Sequence, residues 1–183
     1  GVSARMSITA FENLISTAER RLLITGEEKT SIRMADFLGV IAAINGKVEL
    51  VYEGEQEGAE QIAFHLINQA VKTLFPSYFP EIKKLEKEDE DGPYDRLLGW
   101  FYGDNELFLE DGLAEDVYKD TLDAVPNLNT LVATHQPKSA PEDTYFLMEF
   151  LLWGLEANKR LNKYRTLEGF QFKDGLGNLL AGL

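Results

Sequence analysis

Four glutamates, Glu53, Glu55, Glu57 and Glu60, stand close enough in the chain to offer oxygen ligands to a hard cation such as Mg2+ or Ca2+. Their spacing is not that of an EF-hand loop. Acids at a strand end and a helix N-terminus are stabilised there by the helix dipole, and that is the favoured account. Glu88-Asp89-Glu90-Asp91 could draw a basic partner. A run of like charge in a loop is more often simply solvated. The two histidines are His65 and His135. Neither has an acid, base or nucleophile at motif spacing, so a catalytic or metal role is disfavoured. Lys159, Arg160, Lys163 and Arg165 cluster near the end of a long apolar segment. Favourable charge at a helix C-terminus explains them more simply than a docking patch does.

Nucleotide chemistry has stricter requirements. A P-loop reads G-x-x-x-x-G-K-[ST], so that glycine-permitted amides cradle the phosphates and a lysine neutralises them. Gly46-Lys47 is followed by Val48 and lacks the earlier glycine. Gly26-Glu27-Glu28-Lys29-Thr30 puts two acids where phosphates would sit. Leu107-Phe108-Leu109-Glu110-Asp111 only loosely imitates an apolar strand ending in acids. The chain by itself is not expected to hydrolyse ATP.

Composition narrows the rest. With 183 residues the chain is about the size of one domain, or one and a fragment. Eighteen Lys+Arg against 31 Asp+Glu leave a net charge of −13, which opposes nucleic acid and anionic lipid as partners. Residues 81–120 hold 14 acids and 5 bases, so much of the acidity is central. The absence of cysteine excludes disulfides, thiolate metal sites and thiol catalysis, and favours a cytoplasmic home. No apolar run is long enough to span a membrane. The opening Gly1-Val2-Ser3-Ala4-Arg5-Met6 has no basic and apolar leader pattern and reads as the start of an excised piece.

The elements that must position these residues are mostly helical. The six prolines all lie at Pro76 or beyond, so residues 1–75 can carry long helices. Ser7 reads as an N-cap for Ile8, Phe11, Leu14, Ile15, Ala18 and Leu22, ending at Gly26. A second helix is expected from about Ser31, through Met34, Phe37, Leu38, Ile41 and Ile44, to Asn45-Gly46. Val48, Leu50 and Tyr52 alternate as in a short strand. A third helix, from about Glu57 to Phe75, has Ala59, Ile62, Ala63, Leu66, Ala70 and Leu74 as its apolar stripe. Phe75 to Pro80 reads as a turn or linker. Trp100-Phe101-Tyr102 and Leu107-Phe108-Leu109 flank Gly103-Asp104-Asn105 as a hairpin would. Helices are expected over 113–124 and 127–134. Ser139-Ala140-Pro141-Glu142 predicts a capping box for a central helix running to about Asn162. Phe170 and Phe172 predict a late extended segment.

A family resemblance enters at the N-terminus. Gly1-Val2-Ser3-Ala4-Arg5-Met6-Ser7-Ile8 resembles the start of the lid subdomain in AAA+ ATPases of the magnesium-chelatase and MoxR-type clade. Ala18-Glu19-Arg20-Arg21 and Ser31-Ile32-Arg33-Met34-Ala35-Asp36 fit the same lid. The stretch from Gly46 through Tyr52 to Gly58 is similar to bacterial proteins usually labelled magnesium chelatase, and Gly154 to Lys163 extends the likeness. The resemblance implies a mainly α fold: a helical AAA+ lid-like subdomain over 1–75, then a helical acidic C-terminal extension over 76–183 with one or two short β-hairpins. It implies that the Walker motifs lie upstream, that ATP and Mg2+ belong to the parent, and that this part is non-catalytic. Arg5 matches the sensor-2 arginine, which faces the nucleotide phosphates. Implied partners are the AAA+ core of the same chain, neighbouring subunits of a ring, and a von Willebrand A domain protein. The competing reading is a stand-alone acidic helical protein-interaction domain with no enzymatic activity.

The missing P-loop generates the first prediction. The isolated chain is expected to show no ATPase activity and no tight nucleotide binding. Calorimetric titration with Mg-ATP measures this, and a micromolar dissociation constant overturns it.

Overall fold

The computed structural model describes residues 5–44, 59–82 and 92–174, and they are mainly helical with a small antiparallel sheet. The chain forms two compact units, Gly1–Ala70 and Val71–Leu183. The division falls inside a helix, not at the proline-bounded segment after Phe75.

In the first unit, α1 spans Met6–Thr25. Its N-cap is Arg5 and not Ser7, which lies within the first turn. The Arg5 carbonyl accepts the Thr9 backbone N–H at 3.1 Å and the Thr9 hydroxyl at 3.2 Å, so helical bonding already engages residue 5. Gly26 ends the helix in the left-handed region at φ 71°, which glycine enters at no steric cost. A 3-10 turn, Met34–Phe37, leads into α2, Leu38–Ile44. This helical stretch starts three residues later than Ser31 suggests. Arg33 is extended and donates its backbone N–H to Asp36 Oδ2 at 2.8 Å, while the Ser31 carbonyl accepts from Arg21 Nη2 at 2.6 Å. The backbone at Ser31 is thus committed to a side chain. Gly39 lets α2 approach α1, since a Cβ there would lie 2.0 Å from Thr17 Oγ1 and 2.9 Å from the Asn13 carbonyl oxygen. The proposed strand around Val48–Tyr52 lies outside the described residues.

Helix α3 spans Ala59–Leu74. Its buried line is Ala63, Ile67 and Val71, continuing to Phe75. Leu66 and Leu74, expected on the stripe, are 44% and 51% exposed. Ala63, Ile67 and Val71 form one i, i+4 ridge that ends on Phe75.

Phe75 to Pro80 is the expected turn, and it also carries two core rings. Phe75–Ser77 forms a 3-10 turn, and Phe75 and Phe79 are buried with ring centroids 5.5 Å apart. Phe75 also meets Tyr94 and Phe150, each at 6.2 Å. Helix α4, Asp95–Tyr102, buries Leu97, Leu98 and Phe101. That helical spacing overrides the hairpin expected at Trp100–Leu109. Strand β1, Leu107–Glu110, does exist, but it pairs elsewhere. Helices α5, Glu115–Asp123, and α6, Leu128–His135, follow close to expectation.

Helix α7, Thr144–Ala157, is buried continuously from Leu147 to Leu155. It is entered through a 3-10 turn, Pro141–Asp143, with Ala140 as that turn's N-cap. The Ser139 hydroxyl donates instead to the Gln136 carbonyl at 2.8 Å, so the expected capping box does not form. The helix stops five residues short of Asn162. Lys159 takes φ 61° and the Arg160 N–H returns to the Leu155 carbonyl at 2.8 Å, which reverses the chain into β2, Leu161–Arg165. Strand β3, Gly169–Asp174, completes a sheet of order β1-β3-β2, antiparallel throughout. The one hairpin among the described residues is therefore β2–β3. Phe170 pairs with Leu109 on one side and Arg165 on the other. Among the described residues, no helix is long and apolar enough to cross a membrane.

Gly154 leaves no room for a side chain. A Cβ there would lie 1.9 Å from Phe75 Cδ2, and that ring is boxed in by other aromatics. Gly154→Ala is expected to cost about 1–3 kcal/mol by overpacking. Gly99, exposed in α4 with nothing within 4 Å of its added Cβ, is the control. Gly99→Ala is expected to stabilise by about 0.4–1 kcal/mol. Urea midpoints measure both, and equal shifts would refute the packing account.

Candidate functional site

Arg5 stands at the mouth of α1, with φ −84° and ψ −4°, and is exposed. The two turns beyond it present Ile8 at 61% and Phe11 at 64% exposure. Both continue the stripe that carries Ala18 into the unit's interior. Deeper in the same unit, Arg21 is spent on structure. It is ion-paired with buried Asp36 and donates from Nη2 to Thr30 Oγ1 at 3.1 Å.

The other sequence candidates disperse. His65 is exposed on α3. His135 is half-buried at the end of α6, edge-on to Phe79 at 6.4 Å. Glu53, Glu55, Glu57 and the acids 88–91 lie outside the described residues, as does Gly46-Lys47. Among the described residues, no group of three or more histidines and carboxylates is placed to hold a metal ion. The Gly26–Thr30 segment is a helix cap, with the Thr25 hydroxyl donating to Glu27 Oε2 at 2.7 Å. The Leu107–Asp111 segment is an outer strand of the sheet. Asp111 is clamped there by Arg165 through two bonds of 3.0 and 2.6 Å.

The basic cluster at Lys159, Arg160, Lys163 and Arg165 does not crown a helix end. The chain reversal at Lys159 sends Lys163 and Arg165 onto β2, where they have separate tasks. The Lys163 side chain is 7% exposed. Its Nζ lies 3.0 Å from Glu156 Oε2 and 3.3 Å from the centroid of the Trp153 ring. Phe170 stands edge-on to that indole at 5.0 Å. Burial lowers the Lys163 pKa, opposed by the charges of Glu156 and Glu149. Glu149, buried in the same helix, accepts the Tyr118 phenol at 2.9 Å. The sequence reading missed this group. Glu149 inside an otherwise apolar helix was the one clue, since a buried carboxylate demands partners. Lys163 is enclosed by its own core, so the group joins α7 to the sheet and α5.

No protein-family model, curated protein or solved structure matches this chain.

Lys163 generates a pH prediction. Its folded pKa is below the unfolded value of 10.5, so the unfolded state binds more protons between the two. Its contribution to stability therefore rises with pH across that window and is level outside it. Tyr145 acts oppositely. Its hydrogen bond to Asp123 helps push it up to about 12, so its contribution is present below pH 10 and is lost as pH climbs toward 12. Comparing wild type with Lys163→Met cancels the tyrosine part. The difference in unfolding free energy is expected to move toward wild type as pH approaches 10.5. A pH-independent difference overturns the assignment.

Proposed function

We propose that this chain is the lid and C-terminal extension of an AAA+ ATPase of the magnesium-chelatase and MoxR-type clade. It is a non-catalytic part of an ATP-driven machine that remodels a client or inserts a metal into one. The observation that carries the reading is Arg5, exposed at the N-terminal end of a 20-residue helix and bordered by the exposed Ile8 and Phe11. The N-terminal segment from Gly1 to Ile8, with the stretches quoted for the resemblance, supports the same reading.

The residues present do not make a nucleotide site by themselves. They offer one exposed guanidinium at the head of α1, but the sequence has no P-loop and the described residues hold no metal cluster. In this proposal ATP and Mg2+ bind the upstream core, in the cytoplasm. Arg5 would offer a planar donor to the phosphates, and its charge would stabilise charge developing there. Partners are the core of the same chain, neighbouring subunits of a ring, and a von Willebrand A domain protein.

A second reading, an acidic protein-interaction domain standing alone, is favoured by the acids Asp116, Asp120 and Asp123 exposed on α5. The parent gene separates the two. A G-x-x-x-x-G-K-[ST] motif some 200–300 residues upstream, about the length of one to two domains, supports the ATPase reading. A start codon directly before Gly1 removes it.

Arg5→Ala tests the role of the site. In the isolated chain its stability effect is expected to stay within about 0.5 kcal/mol, as for an exposed residue. In the full-length parent the same change is expected to lower ATP turnover about 10-fold or more, a loss of at least ~1.4 kcal/mol in the transition state. A destabilised fragment with unchanged parental turnover would make Arg5 structural.

A further inference from the structure

We draw no further inference here: the strongest candidate, Lys163 paired with Glu156 and lying on the face of Trp153 between α7 and β2, is distinguished chemically only by the lowered pKa of its lysine, and nothing in the structure shows a ligand that it would meet.

Discussion

Helix α7 is buried without a break from Leu147 to Leu155, and the second unit is arranged around that constraint. A helix with no solvent face must be covered on every side. The aromatic corner at Phe75 and Phe79, α5, α6 and the sheet supply the cover. Each polar intrusion then needs a specific partner. Glu149 accepts the Tyr118 phenol, and Lys163 lies on the face of the Trp153 ring, whereas the buried indole Nε1 has no hydrogen-bond partner among the described residues. The absence of a side chain at Gly154 is as necessary as any contact, because the Phe75 ring occupies that space.

The first unit depends on a different kind of contact. Arg21, Arg33 and Asp36 are all buried, and Asp36 accepts from both the Arg21 guanidinium and the Arg33 backbone. Such a group is a weak source of net stability, since desolvating the charges offsets much of their attraction. Its effect is geometric. Asp36 holds the start of the turn before α2, and Arg21 ties that turn and Ser31 to α1. One carboxylate thus joins two helices and the connection between them.

Arg21 and Lys163 are engaged with Asp36 and Glu156 largely out of solvent, and Arg165 with Asp111 at the surface. Arg5 is exposed, and it adjoins apolar residues that the first unit leaves uncovered. A part that works by docking onto a larger machine needs such a surface more than it needs a pocket.

Local pattern in the sequence determined a good deal. The mainly α class, the end of α1 at Gly26, the helices near 115–123 and 128–135, and the extended Phe170–Phe172 segment all follow from periodicity and capping residues, which act over a few positions. The lack of a P-loop is equally a property of the string. Arg5 was legible only through resemblance, and its exposure only from coordinates. Tertiary structure decided what depends on distant partners: which face of α3 is buried, that Phe75 and Phe79 are core, that β1 pairs with β3, and where Lys163 and Arg165 lead. Helix α7 shows the reason. Its apolar residues and the Asn158–Lys163 run allow further helix by propensity, but a chain reversal at Lys159 lets β2 and β3 cover Trp153. Burial of that large surface outweighs a few residues of helix propensity, and no local window of the sequence contains both sides of that comparison.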